Sequence, residues 1–133
     1  MKYEVGAVAE FSKTISEHDV YQFAGITGDF NSVQINKGAA EESIFKNRIC
    51  HGMLVGSFVS TVLGMYLPGP GTIYLGQYLK FLKPVFIGET ITAKVEIIEF
   101  LKEDIIKLNT VVVNQDNVEV ITGEAIVKLP PML

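Results

Sequence analysis

The loop around Asp29 is the first place in the sequence where side chains could do chemistry. The segment Ala24–Asn31 reads AGITGDFN, so Asp29 follows a glycine directly and precedes Asn31 by two residues. A carboxylate in a glycine-bounded loop can be presented to a cavity, where carboxylates transfer protons as general acids and bases. The alternative is an Asx-type turn in which Asp29 and Asn31 bond their own backbone. Spacing alone leaves both interpretations open.

A second candidate is the segment Cys50-His51-Gly52-Met53, which begins the most apolar stretch of the chain. Backbone N–H groups at a helix N-terminus are unpaired and carry the positive end of the helix dipole, so they can polarise a carbonyl oxygen. Gly52 would let a ligand carbonyl come close to those amides. The alternative is that His51 only caps the helix and fills space.

The apolar stretch also carries the hydroxyl side chains of Ser57, Ser60 and Thr61. The sequence has no GxSxG motif, which argues against a serine nucleophile. Hydroxyls on a helix usually bond back to the preceding turn.

The elements that must position these residues can be predicted from the pattern of the chain. Val5–Ile15 alternates as an edge strand, and Ser16 is placed to cap a helix through Asp19–Gly25. Lys37–Phe45 is predicted as a short helix, and His51–Leu67 as a helix that is apolar nearly all round and therefore buried. Long antiparallel strands follow, predicted at Thr72–Phe81, Thr90–Leu101, Ile105–Asn114 and Val118–Lys128. One apolar helix beside an antiparallel sheet is an α+β arrangement.

Composition excludes several classes of protein. The chain has 133 residues, a net charge of −4 and 48% hydrophobic residues, which predicts a single globular domain over residues 1–133. The basic residues are scattered, which argues against a nucleic-acid partner and a membrane surface. A single cysteine, Cys50, excludes an intrachain disulfide and is expected to be buried. We expect a cytoplasmic protein with no metal site, since the two histidines lack metal-ligand spacing.

Two long segments together carry a family resemblance. They read GITGDFNSVQIN and RICHGMLVGSFVSTVLGMYLPGPGTIYLGQYLKFLKPVFIGETITAKVEI. They resemble the MaoC-like dehydratase family and, within it, the short (R)-specific enoyl-CoA hydratases. The resemblance runs from about residue 15 to the last strand.

The resemblance implies a hotdog fold, in which a curved antiparallel sheet wraps a long central helix. It implies a homodimer with active sites at the subunit interface. The substrate would be a trans-2-enoyl-CoA, an acyl-CoA thioester, hydrated reversibly to an (R)-3-hydroxyacyl-CoA. Coenzyme A would be part of the substrate, and no other cofactor would be needed.

The resemblance also implies roles for individual residues. Asp29 matches the family's catalytic aspartate, Asn31 matches the motif asparagine, and Gly52 matches the glycine whose N–H holds the thioester carbonyl. Ser60 matches a serine that supports the site. Asn31 is expected to contact substrate, as are His51 and Met53, which lie next to Gly52 in the same segment.

The family's hydratase motif, Asp-x-Asn-Pro-x-His, is incomplete in this chain. Gln34 stands at the histidine position and Ser32 at the proline position, and neither His18 nor His51 fills the gap by sequence. A carboxamide can orient water by hydrogen bonding, but it cannot exchange a proton as an imidazole does. Three explanations stay open at this point. Asp29 acts alone while Gln34 holds the water, or the chain is a divergent protein with no efficient hydration, or a histidine was replaced by engineering.

Competing functions follow from the same residues. The alternatives to a hydratase are a non-catalytic acyl-CoA-binding protein and an acyl-CoA thioesterase that uses Asp29. Lys80 and Lys83 are candidates to meet the coenzyme phosphates, or they are ordinary solvated surface lysines.

Overall fold

The structure is a computed structural model that describes residues 3–43 and 47–131. Its helices and strands follow one another along the chain as β1 (Val8–Thr14), α1 (Glu17–Thr27), α2 (Ser32–Ile35), α3 (Lys37–Glu42), α4 (Gly52–Met65), β2 (Ile73–Phe81), β3 (Thr90–Phe100), β4 (Ile105–Val113) and β5 (Glu119–Lys128). The predicted α+β order is therefore confirmed.

In the described residues the strands form one antiparallel sheet in the order β1-β3-β4-β5-β2. Strand β3 alternates as predicted, because Ile91, Ala93, Val95 and Ile97 are all buried and share one face. The two edges of the sheet are β1 and β2. Among the residues that the structure describes, strand β2 pairs only with β5, and no strand lies on its outer side.

Helix α4 packs against β1, β2, β3 and β4 of the sheet. Its apolar side chains form the centre of the core, since Val55, Val59, Val62 and Leu63 are all buried. Gly56 permits the close approach of the sheet: a Cβ at this position would lie 2.8 Å from Leu79 Cδ1 of β2. The arrangement is the predicted hotdog fold.

Helix α1 begins at the predicted cap. Ser16 accepts from the backbone N–H of Asp19, and the Asp19 carboxylate accepts from the N–H of Ser16, which completes a capping box. The hydrogen bond from Ser16 lowers the pKa of Asp19, as does the nearby Lys13.

The chain that leads into α4 is tied to α1 by Arg48. Its guanidinium donates to Tyr21 Oη at 2.7 Å and to Glu17 Oε2 at 3.1 Å. The hydrogen bond from Arg48 holds the pKa of Glu17 below its usual value, with a further contribution from Tyr21. These contacts fix the segment just before His51 against the helix that ends at the Asp29 loop.

The sequence prediction differs from the structure mainly at element ends. Helix α3 ends at Glu42, so the Phe45 end of that predicted helix lies outside the described residues. Helix α1 continues beyond the predicted Gly25 to Thr27, and the short helix α2, which begins at Ser32, was not predicted. Cys50 is buried as predicted. Within the described residues no helix combines the length and apolar character needed to cross a bilayer.

Candidate functional site

Six of the seven predicted site residues line one cavity of about 250 Å³, which we call the reaction cavity. Its lining comprises Asp29, Asn31, Gln34, His51, Gly52, Met53 and Phe81. The contributing segments are far apart in sequence: the loop after α1, the helix α2, the N-terminus of α4 and the end of β2. Folding therefore brings together the two candidate segments that the sequence presents separately.

The Asp29 loop owes its shape to a helix end followed by turns. Gly28 closes α1 in a left-handed conformation (φ 79°), which glycine adopts without steric cost. Asp29 Oδ1 then accepts from the N–H of Asn31, and Asn31 Oδ1 accepts from the N–H of Val33, both at 3.2 Å. The Asx-turn interpretation and the site interpretation are thus compatible. The turn uses Oδ1, while Oδ2 of this exposed carboxylate has no hydrogen-bond donor among the residues the structure describes.

His51 connects the two halves of the site. Its Nε2 lies 2.9 Å from the backbone carbonyl oxygen of Asp29. A carbonyl only accepts, so Nε2 carries the proton and Nδ1 is left as an acceptor if the ring is neutral. Nδ1 is buried and has no hydrogen-bond partner within residues 3–43 and 47–131. The side chain makes no cap bond to α4, so the simple capping interpretation does not hold.

The imidazole of His51 is held by apolar contacts as well. Its ring centroid lies 5.0 Å from that of Phe23 on α1. The neighbouring thiol of Cys50 is uncharged, because burial, with help from Glu89 and Asp19, raises its pKa to about 12. The hydrogen bond from Nε2 and the contact with Phe23 together hold His51 in place, so that its ring positions the backbone of Asp29.

Gln34 presents a buried acceptor at the position of the motif histidine. Its side chain is only 7% exposed, and Oε1 is buried without a hydrogen-bond partner in the described part of the chain. Leaving a buried polar atom unpaired costs about 1–3 kcal/mol. Such an atom in the wall of a cavity is suited to accept a hydrogen from a bound water or ligand.

Gly52 is the first residue of α4, where backbone N–H groups have no partner within the helix. It is also under the ring of Phe81, since a Cβ at Gly52 would lie 2.8 Å from Phe81 Cε1 and 2.9 Å from Cδ1. A side chain at this position would therefore have to displace the Phe81 ring. The same lack of a side chain leaves the amide accessible from the cavity.

Two residues depart from the predicted set. Ser60 does not line the reaction cavity. It lies on an exposed position of α4, eight residues after Gly52 and so about 12 Å along the helix axis. Phe81 was missed, because nothing in its local sequence indicates that its ring covers Gly52. That contact depends on how β2 crosses the start of α4.

The described residues offer no evident set of side chains that could bind a metal ion. Within 3–43 and 47–131 no group of three or more His, Cys, Asp or Glu side chains is placed to hold a metal ion. The reaction cavity instead offers a carboxylate, an amide, an imidazole and helix N–H groups. This set can transfer a proton and stabilise a developing negative charge.

Comparison with known proteins gives a consistent result. An (R)-specific enoyl-CoA hydratase from Rhodospirillum rubrum is 46% identical over 126 residues, which cover 94% of this chain and 87% of the relative. An enzyme of the same name from Aeromonas caviae is 44% identical over 96% of both chains. The unliganded R-hydratase structure from Pseudomonas aeruginosa, a hotdog protein, superposes with a TM-score of 0.94 at 41% identity. That alignment covers 98% of this chain and 84% of the other.

The family match spans nearly the whole fold. The MaoC like domain matches residues 3–121, which include every residue of the reaction cavity. Close relatives and the superposed structure agree with that match. The chain belongs to the MaoC-like domain family.

Proposed function

We propose that the protein is an (R)-specific enoyl-CoA hydratase, a lyase that adds water reversibly to a trans-2-enoyl-CoA. Relatives at 39–46% identity carry the names (R)-specific enoyl-CoA hydratase and 3-hydroxybutyryl-CoA dehydratase. None of these names describes a thioesterase or a non-catalytic binding protein, so neither alternative is favoured.

The observation that carries the proposal is the composition of the reaction cavity. A carboxylate from Asp29, a buried amide oxygen from Gln34 and the helix N-terminus at Gly52 line the same space. Hydration of an enoyl thioester needs a base for the water, a means of orienting that water and a donor for the carbonyl oxygen. Each requirement is met by a group in this cavity.

The proposed reaction begins with the thioester carbonyl oxygen on the N–H of Gly52. The Asp29 carboxylate removes a proton from water while the water oxygen bonds to C3, and the electrons of the C2=C3 bond move onto the carbonyl oxygen. The helix N-terminus stabilises this enolate charge. The protonated Asp29 then returns a proton to C2, which regenerates the carboxylate and gives the 3-hydroxyacyl thioester.

Gln34 would orient the water rather than exchange a proton. Its unpaired Oε1 can accept a hydrogen from the water and so direct the oxygen lone pair toward C3. Because an amide does not titrate, Asp29 alone would serve as base and then as acid. We therefore expect slower turnover than an enzyme with a histidine at this position.

The remaining residues are assigned supporting roles. Asn31 shapes the turn that presents Asp29, and His51 holds the backbone of Asp29 through its Nε2–H. Met53 is 59% exposed at the cavity mouth, which suits contact with the acyl chain. A role for Ser60 requires the substrate to extend along α4, and this stays a prediction.

A homodimer built on the β2 edge is part of the proposal. Strand β2 has an open edge and carries exposed apolar side chains, among them Ile73, Leu75 and Tyr78. An edge of this kind is normally covered by another strand. Leu75→Asp should shift the protein to monomer in analytical ultracentrifugation, while Val8→Asp on the opposite edge strand should not. A wild-type monomer would contradict the dimer.

Two further expectations stay predictions. One is location in the cytoplasm, and the other is activity without any cofactor beyond the coenzyme A of the substrate.

The function is tested with purified protein and crotonyl-CoA. We expect loss of the enoyl absorbance and formation of 3-hydroxybutyryl-CoA of R configuration in chiral analysis. Release of free thiol, followed with a thiol reagent, should stay at background. No hydration above background, or an S product, would contradict the proposal.

A further inference from the structure

Three side chains join the start of α1 to the segment that leads into α4, and we call them the Arg48 clamp. The Arg48 guanidinium donates to Tyr21 Oη at 2.7 Å and to Glu17 Oε2 at 3.1 Å. Tyr21 Oη donates in turn to Glu17 Oε1 at 2.9 Å, which closes a ring of hydrogen bonds. The Arg48 side chain is 11% exposed and that of Glu17 is 53% exposed. A planar guanidinium bonded in two directions holds its partners in a fixed arrangement.

The Asp29 loop is attached to the other end of α1. The N–H of Gly28 donates to the Ala24 carbonyl oxygen, and Thr27 Oγ1 donates to the Phe23 carbonyl oxygen, both at 2.8 Å. The N–H of Asp29 donates to Thr27 Oγ1 at 3.2 Å. Because these bonds all lead back to the last turns of α1, the orientation of α1 sets the position of the Asp29 carboxylate.

The N-terminus of α4 is attached to the sheet instead. The N–H of Cys50 donates to the Val85 carbonyl oxygen at 2.7 Å, in the connection between β2 and β3. Gly52 lies against the Phe81 ring of β2. The Gly52 N–H and the Asp29 carboxylate therefore belong to two different parts of the structure, one fixed by the sheet and the other by α1. The proposed reaction needs both groups on one thioester at the same time.

Two side chains of the segment before α4 join these parts, and they do so at opposite ends of α1. His51 Nε2 lies 2.9 Å from the Asp29 carbonyl oxygen, just beyond the last residue of α1. Arg48 holds Glu17, the first residue of α1. The helix has 11 residues and is therefore about 16 Å long. Held at both ends, α1 cannot tilt without straining one of these contacts.

We propose that Arg48 is a positioning residue for hydration: by holding the start of α1, the Arg48 clamp sets the place of the Asp29 carboxylate relative to the Gly52 N–H. The kinetic consequence rests on the proposed hydratase function, and it should appear in kcat more than in KM. A misplacement of about 1 Å can cost about 10²-fold in rate, so we expect a smaller shift of α1 to cost about tenfold.

The kinetic test is Arg48→Met, which keeps an unbranched side chain and removes every hydrogen bond of the guanidinium. Val20 and Ala24 are fully buried, so α1 should stay packed on the core and shift rather than detach. With crotonyl-CoA we expect kcat to fall about tenfold and KM to change less than about twofold. Arg48→Lys keeps the charge without the planar fork and should recover part of the rate. A rise in KM with an unchanged kcat would overturn the proposal.

Lys13→Met is the matched control, because it removes another ion pair made with α1. Lys13 Nζ lies 3.1 Å from Asp19 Oδ2, and Lys13 belongs to β1, so this ion pair does not involve the segment before α4. We expect Lys13→Met to keep kcat within about twofold of wild type. An equal loss of kcat in Lys13→Met and Arg48→Met would mean that any loosening of α1 slows the reaction, and the proposal would be wrong.

A second measurement needs no turnover. His51 is buried and donates its Nε2 proton to the Asp29 carbonyl oxygen, so this proton should exchange slowly with water and give a resonance in the proton NMR spectrum. The exposed ring of His18 should give none. We expect the His51 resonance to broaden or disappear in Arg48→Met and to persist in Lys13→Met. A wild-type protein without hydratase activity would refute the proposed function, while this resonance would still decide whether Arg48 positions Asp29.

Glu17→Gln tests the clamp from its exposed end if Arg48→Met does not fold. Glutamine can still accept from Tyr21 and Arg48, but the ion pair is lost. We therefore expect a smaller change in the same direction, with kcat lower by about threefold and a weaker His51 resonance. A folded clamp variant that keeps both the wild-type kcat and the wild-type His51 resonance would overturn the proposal.

Discussion

Replacing Gln34 with histidine should restore the acid–base group that the family motif has at this position. The side chain lies in the wall of the reaction cavity and is 7% exposed, and a histidine side chain is similar in size to a glutamine side chain. The substitution also removes an amide oxygen that is buried without a partner, which costs about 1–3 kcal/mol. We therefore expect Gln34→His to fold with no loss of stability.

The expected gain in rate follows from the chemistry that is added. A positioned general acid or base contributes about 10²–10⁴-fold, which corresponds to about 2.7–5.4 kcal/mol of barrier at 1.36 kcal/mol per tenfold. The wild-type protein already has Asp29 as a base, so histidine adds only part of this contribution. We therefore expect a gain in rate near the lower end of the range, about 10²-fold. The pH profile should also gain a limb at about pH 6.5, where an imidazole titrates.

The assay is steady-state hydration of crotonyl-CoA across a pH series, with circular dichroism to confirm that each variant is folded. Gln34→Leu is the matched control, because it removes the acceptor without adding a titrating group and should lower kcat. A folded Gln34→His variant with the wild-type rate and the wild-type pH profile would refute the reasoning. It would mean that residue 34 does not contact the reacting water.

Three further predictions concern the frame of the site. Gly52→Ala places a methyl group 2.8 Å from the Phe81 ring, so the half-exposed ring must turn away. We expect the free energy of unfolding, measured by urea titration, to fall by about 1 kcal/mol. We also expect kcat/KM to fall, by a factor that corresponds to more than this free energy. Cys50, with a buried thiol of pKa about 12, should resist iodoacetamide at pH 8 and react only when the protein is unfolded; rapid alkylation of the native protein would contradict this burial. Gly123→Ala places a Cβ 1.9 Å from a backbone carbonyl oxygen of β2 and should cost at least about 3 kcal/mol, whereas Gly76→Ala, whose Cβ meets open space, should cost far less.

Much of the fold could be predicted because the local signals agree with one another. The alternation of β3, the capping residue Ser16 and the apolar run of α4 each specify one element without reference to the rest of the chain. The ends of α1 and α3 differ from those predicted. A glycine or serine near a helix end permits termination at several neighbouring positions, and tertiary contacts choose among them.

Part of the candidate site could also be predicted, but mainly from the resemblance to a family rather than from the local patterns that specify helices and strands. Asp29 and Gly52 are candidates from their residue types and places in the chain, although spacing alone leaves an ordinary turn open at Asp29. The resemblance to a family assigns their roles and adds Gln34. Phe81 could not be found, because its contact with Gly52 joins residues from two elements that pack only in the folded chain. The hydrogen bond from His51 to the Asp29 carbonyl was hidden for the same reason.

The location of the site follows from the charge pattern of the chain. From Ile49 to Leu79 there is no Asp, Glu, Lys or Arg, so α4 and the strand beside it supply a core, an apolar wall and helix N–H groups but no carboxylate. The carboxylate has to come from the loop before this stretch. Arg48 and His51 hold that loop and the start of α4 together, which places Asp29 beside Gly52 in one cavity.

The most direct test of the account is the hydration rate of Asp29→Asn. Asparagine keeps the oxygen that accepts from the N–H of Asn31, so the turn should persist while the base is lost. With crotonyl-CoA at saturation, we predict that kcat falls by at least about 10²-fold with an unchanged melting temperature. A folded Asp29→Asn variant that keeps kcat within about threefold of wild type would contradict the assignment of Asp29 as the base.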